Sequence, residues 1–299
     1  TELAITKSMS ILGDGQNMTI SANGLSRVFQ IDDGDSQNQT EVALSGLTIT
    51  GGNPGGGGMF NFGGGILNSE ILNITDSTIR DNLGVHGSGI VDFGVATITG
   101  STVSGNHAEG WGGGILASGA TTLINSTVSQ NTAAKGGGVY AGGTVSLIGS
   151  TVSGNSVGGA TGGGGITVSA GNAGVNLTST IVADNIAGFS PDLYIQGDTD
   201  AGTVNAVHSL IENGDSITGA SFANIIGVDP LLDPSGLQDN GGPTRTIALQ
   251  GGSPAIDTGS NLHGLPHDQR GAGFDRVFGT QADIGAFELI DLDTDGVDG

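Results

Sequence analysis

The sequence predicts an all-β protein: a right-handed parallel β-helix, three-sided, with a less regular C-terminal capping segment. Three observations carry this. Two short motifs recur together at one period of about a coil, and each repeat holds three short β-prone stretches with no helical segment between them. A composition suited to a thin aliphatic core is the third.

The first motif is a Gly-rich triplet followed by an aliphatic residue, at Ile66, Ile90, Ile115, Val139 and Ile166, in steps of 24, 25, 24 and 27. The second is Ser-Thr-aliphatic followed closely by Asn, ending at Asn82, Asn106, Asn131, Asn155 and Asn185, in steps of 24, 25, 24 and 30. Between Gly87 and Glu109 the β-prone stretches are Gly89-Ile90-Val91, Ala96-Thr97-Ile98-Thr99 and Ser101-Thr102-Val103-Ser104. Three strands per turn, stacked in parallel, make a triangular prism, and each face needs an inward aliphatic column. The expected columns are Ile66, Ile90, Ile115, Val139, Ile166; then Ile74, Ile98, Leu123, Leu147; then Ile79, Val103, Val128, Val152, Ile181. Their neighbours are mostly Thr and Ser, which pleating turns outward.

Asn82, Asn106, Asn131, Asn155 and Asn185 read as a structural turn ladder, because Asn tolerates left-handed backbone and stacked amides satisfy one another. The glycine triplets fit corners where coils approach closely. They lack the strand–helix setting of a phosphate loop.

Four regions follow. Residues 1–60 are entry coils, with strands expected at Met18-Thr19-Ile20-Ser21, Arg27-Val28-Phe29-Gln30-Ile31 and Leu47-Thr48-Ile49-Thr50. Residues 61–204 are regular repeats. Residues 205–290 are C-terminal coils and a cap, rich in turns such as Asn240-Gly241-Gly242-Pro243. A solenoid needs its open ends covered. Residues 291–299 are an Asp-rich linker to a following module.

The chain has 299 residues, 59 of them Gly and only 7 Pro, with 35% hydrophobic and 4% aromatic residues and no Cys. Stability must come from packing and backbone hydrogen bonds, without disulfides. The formal charge is -22, from 29 acidic and 7 basic residues. No Lys/Arg cluster exists, so nucleic acid and anionic membranes are poor partners. No apolar run is long enough for membrane insertion. Eighteen carboxylates lie after residue 180, whereas Glu109 is the single one between Val95 and Thr180. The middle is thus a neutral hydroxyl-rich surface. The chain opens at Thr1 with no leader and reads as a processed piece.

The repeat pair resembles the repeats of bacterial polymorphic outer-membrane proteins. The string GVDPLLDPSGLQDNGGPTRTIALQGGSPAIDTGS from Gly227, with DQRG at Asp268–Gly271 and ADIGAFE at Ala282–Glu288, resembles the choice-of-anchor Q family. KSMSILGDGQNMTIS, SRVFQI and LSGLTITGGN resemble the start of those helices, so the resemblance spans nearly the whole chain. It implies a β-helix at the bacterial cell surface, and supplies no catalytic residues to carry over.

Enzyme chemistry on such a solenoid needs clustered groups. Glycan hydrolysis needs paired carboxylates. In the regular coils Glu70, Asp76, Asp81, Asp92, Glu109 and Asp184 fall at positions that do not stack. Lyase chemistry needs a cation and a base. Arg80 and Lys135 are poorly matched for one site, and Pro266-His267-Asp268 lies in the cap, where Arg270 is expected to pair with Asp268, Asp275 or Asp283. His263 and His267 form a weak metal motif. Calcium is the better cofactor candidate, at Asp291, Asp293 and Asp295, where oxygen ligands alternate before a glycine; Asp32, Asp33 and Asp35 are a weaker turn of the same kind. An ice-binding face fails, because Thr97-x-Thr99 gives way to Thr122-x-Ile124 and Ser146-x-Ile148.

The function expected from all this is a non-catalytic structural or adhesion module, extracellular or at the cell surface, with polysaccharide or surface glycan as partner. The alternatives are a polysaccharide lyase or related carbohydrate enzyme, and a subunit of a calcium-linked extracellular fibre that self-associates end to end.

Overall fold

A computed structural model describes residues 2–13, 18–35, 39–55, 61–159, 162–197, 202–214 and 217–290. Among these, three long sheets form a three-sided parallel β-helix with no helical element. The first sheet has eight strands, from Leu3–Ile5 to Leu193–Ile195. The second has nine, from Met9–Leu12 to Ser221–Phe222. The third has nine, from Met18–Ser21 to Ile225–Ile226. A short fourth sheet of Leu83–Gly84, His107–Ala108, Thr132–Ala133 and Ser156–Val157 lines the corner between third and first faces. Coil strands therefore persist to Ile226, where the repeat is no longer visible in sequence.

The columns are in direct register. Ile66, Ile90, Ile115, Val139 and Ile166 pair successively and are fully buried. Ile74, Ile98, Leu123 and Leu147 do the same on the second face. Five-residue strands there supply another inward row, including Leu72, Ala96 and Val145. The third column needs a correction at its end. Val152 pairs with Val182, whereas Ile181 pairs with Thr151 and faces outward. The motif ending at Asn185 carries one extra residue after its Ser-Thr, and the Asn, not the Ser, holds the register. Val128, fully buried mid-column, should lose about 1–3 kcal/mol as Ala, from lost transfer energy plus a residual cavity; an unchanged denaturation midpoint would contradict its placement.

Both motifs are explained by one corner. Each Asn side-chain amide donates to the carbonyl oxygen of the next: Asn82 to Asn106 at 3.0 Å, Asn106 to Asn131 at 2.9 Å, Asn131 to Asn155 at 2.9 Å, Asn155 to Asn185 at 3.0 Å. The third glycine of each triplet packs against this ladder. A Cβ on Gly114 would lie 2.7 Å from the Gly138 carbonyl oxygen and 3.0 Å from the Asn131 amide nitrogen. The Ser of Ser-Thr-aliphatic forms a second ladder, in which Ser77, Ser101 and Ser126 N–H groups donate to the hydroxyls of Ser101, Ser126 and Ser150.

Residues 228–290 are irregular, and their contacts run along the outside of the third sheet. Ile181, Ala183 and Leu210 point outward into a second apolar core with Leu232, Leu249, Ile284 and Phe287. No helix among the described residues is long and apolar enough to cross a membrane.

Candidate functional site

In the first six of the nine third-face strands one register position carries an outward threonine: Thr19, Thr48, Thr78, Thr102, Thr127 and Thr151. Strand pleating puts the neighbouring Val or Ile inside and this hydroxyl outside. The result is a hydroxyl rail along the solenoid. Its farther half is used internally. The Thr102 hydroxyl donates to the Arg245 carbonyl at 2.7 Å, and the Thr127 hydroxyl to the Gln269 side-chain oxygen at 2.6 Å. Ala286 N–H donates to the Thr151 hydroxyl at 3.0 Å. Gln269 Nε2 also donates to the hydroxyls of Thr102 at 3.0 Å and Thr244 at 2.9 Å. The C-terminal segment is thereby docked, and Thr102, Thr127 and Thr151 are buried.

The nearer half stays open. Thr19 is exposed, and Thr48 and Thr78 are half-buried. They floor a groove of about 720 Å³, walled on one side by residues 237–245 of the docked segment. Arg80 and Asp81 enter it from the solenoid, and Asp239 and Arg245 from the segment. Arg80 is paired with Asp81 at 2.5 Å. Arg245 is exposed and, among the described residues, forms no ion pair. The groove thus combines hydroxyls, two guanidinium donors and two carboxylate acceptors.

The other sequence candidates fall elsewhere. Glu70 accepts the N–H groups of Asp33 and Thr40, and buried Asp92 accepts from Asn68, Thr121 and Gly94. Both close corners. Burial pushes the Asp92 carboxyl above its usual range, and its hydrogen bonds pull it back. Asp184 is raised by burial and by Glu212, Asp229 and Asp192. Asp76 sits at a left-handed turn and Glu109 is exposed. Lys135 lies in a corner loop beside Trp111 on the first face, away from the groove lined by Arg80. His267 Nδ1 is 3.4 Å from Asp275, and its carbonyl accepts from Asn125. Asp32 and Asp33 carboxylates accept the N–H groups of Gly34 and Asp35 within their own turn. No group of three or more His, Asp or Glu among the described residues is placed to hold a metal. Asp291, Asp293 and Asp295 lie outside the described residues.

The DQRG and ADIGAFE strings meet in one buried clasp. Arg270 donates to Asp268 at 2.9 and 2.7 Å, and its guanidinium lies 4.0 Å from the Phe274 ring centre and 3.9 Å from that of Phe287. Glu288 faces Arg276 at 3.4 Å and accepts N–H from Phe278 and Asp283. Burial, then the nearby Asp283, push the Glu288 carboxyl up to about 8 from 4.5. The folded chain then keeps a proton that the unfolded chain releases between those values. The contribution of this group to stability falls as pH rises across that window. A urea midpoint lower at pH 8.5 than at pH 5, with the difference reduced in Glu288→Gln, is expected; equal midpoints in the parent would contradict it.

The sequence reading missed the rail, although its signal is present in the repeated Ser-Thr-Val and in Met18-Thr19-Ile20-Ser21 and Leu47-Thr48-Ile49-Thr50. It sought a threonine ladder on the second face only. It also missed the ladder of Phe62, His86, Trp111 and Tyr140 on the first face, with ring centres 5.4, 4.9 and 5.3 Å apart. No family model, curated protein or solved structure matches the chain.

Proposed function

We propose that this chain is a non-catalytic structural and adhesion module of an extracellular or cell-surface bacterial protein, and that it holds a glycan in the third-face groove. The observation that carries this is the open half of the hydroxyl rail. Its chemistry of hydroxyls, guanidinium donors and carboxylate acceptors suits the dense hydroxyls of a saccharide. The resemblance of the C-terminal strings to surface-anchored β-helix proteins supports the location. Calcium at Asp291, Asp293 and Asp295 would serve linkage to a neighbouring module, outside the groove.

A second reading, a polysaccharide lyase, draws on the meeting of Arg80 and Arg245 with Asp81 and Asp239 in one groove. Incubating the purified chain with a polysaccharide panel, with calcium present, separates the two. Retention without new chain ends is the expected result. New unsaturated ends would overturn the non-catalytic reading.

A further inference from the structure

The coil spacing measures what the open rail can hold. Neighbouring strands lie ~4.7–4.9 Å apart, so hydroxyls in direct register repeat at that step along the solenoid axis. Thr19, Thr48 and Thr78 are in such register. An extended peptide presents same-side groups only every second residue, ~6.6–6.8 Å, and drifts out of step within two coils. An extended β-1,4-linked pyranose chain advances by close to one coil step per ring, and each ring carries hydroxyls on both edges, so a hydroxyl meets every coil even though alternate rings are flipped.

Charge narrows the class further. Within the groove two arginines are matched by two aspartates, and Arg80 is already engaged by Asp81. The protein as a whole carries -22. A polyanion would meet Asp81, Asp239 and the negative field of the whole chain, with one unpaired guanidinium in the groove, Arg245, to offset them. The aromatic ladder on the first face is a poorer platform for sugars. In it Trp111 and Tyr140 already stack on each other, at 12° between planes, so the ring faces between them are taken.

We infer that the groove holds a neutral polysaccharide laid along the solenoid axis at about one sugar per coil, with Thr19, Thr48, Thr78, Asp239 and Arg245 bonding its hydroxyls. The inference rests on the glycan-binding reading above. Once bound, the ligand leaves the docked C-terminal segment in place and uses the rail where that segment ends.

Affinity electrophoresis through gels containing hydroxyethylcellulose, glucomannan, polygalacturonate or alginate tests it. The variants are Thr48→Val with Thr78→Val, Arg245→Ala, and Thr122→Val on the second face as a control. A neutral polymer should retard the parent and the control. Loss of two hydroxyl contacts should weaken that binding about tenfold or more. Arg245→Ala, whose side chain makes no hydrogen bond or ion pair among the described residues, should also weaken it and guards against a folding defect in the double variant. Retention by the polyanions alone would overturn the neutral class and leave the adhesion reading standing. Neutral binding unchanged in both variants would overturn the site. Retention by no polymer would overturn the inference together with the glycan reading.

Discussion

Replacing Arg270 with Met is expected to lower the stability of the docked C-terminal segment by about 3–5 kcal/mol, because it strands a buried carboxylate. Asp268 has no exposed side-chain surface, and Arg270 only 5%. Asp268 also accepts N–H from Arg270 and Glu288, at 2.7 and 2.8 Å, so it cannot turn toward water without opening the clasp. Met keeps the apolar filling between Phe274 and Phe287 and so isolates the electrostatic loss. Hydrogen exchange reads the result locally. Gly285 and Ala286 N–H groups bond Ser179 and Thr151 on the solenoid, and their protection should collapse while that of Ile98 and Leu123 stays. Unchanged protection at Gly285 and Ala286 would show that the clasp does not hold the segment.

The second large effect is expected at Asp192. The Asn ladder runs one way, each amide nitrogen donating onward, and it ends on this carboxylate. One Asp192 oxygen takes the Asn185 backbone and side-chain N–H groups at 3.2 and 2.9 Å. The other takes those of Asn213 at 2.8 and 2.9 Å. Four donors converge on a fully buried side chain. Burial pushes this carboxyl up, and the four bonds pull it back. Asp192→Asn should cost about 2–4 kcal/mol, because an amide NH₂ must then face other donors and leave buried groups unpaired. A midpoint within error of the parent would mean that the ladder ends by another route. The loss should couple to Asn185→Ala, which shares the network.

Much of this architecture is legible in the sequence because a coil is a local unit. Its in–out alternation is set by neighbouring residues, which is why the columns through Ile90, Leu123 and Val128 can be read directly. The misassigned Ile181 shows the limit. An inserted residue leaves two aliphatics side by side, and the correct one is fixed by Asn185 in its ladder, a contact that spans coils. The site was less legible. Pleating says that Thr48 and Thr127 face out, but not that residues 228–290 return to cover one and leave the other open. That difference rests on contacts such as Thr102 with Arg245 and Thr127 with Gln269, far apart in sequence and without periodicity. The pairing of Arg270 with Asp268 was within reach, since the two lie in one short string. The groove was not, because two of its charged residues come from a segment whose docking face carries no repeat.

On the proposed reading one hydroxyl rail serves two purposes, gripping the chain's own C-terminal segment and offering its free half to a glycan. Hydrogen exchange with and without saturating hydroxyethylcellulose or glucomannan tests this most directly. Added protection is expected in peptides covering Leu47–Thr50, Thr78–Arg80 and residues 237–245, with none at Val95–Thr99. Protection confined to the second face or to the first-face aromatic ladder, or absent throughout, would contradict it.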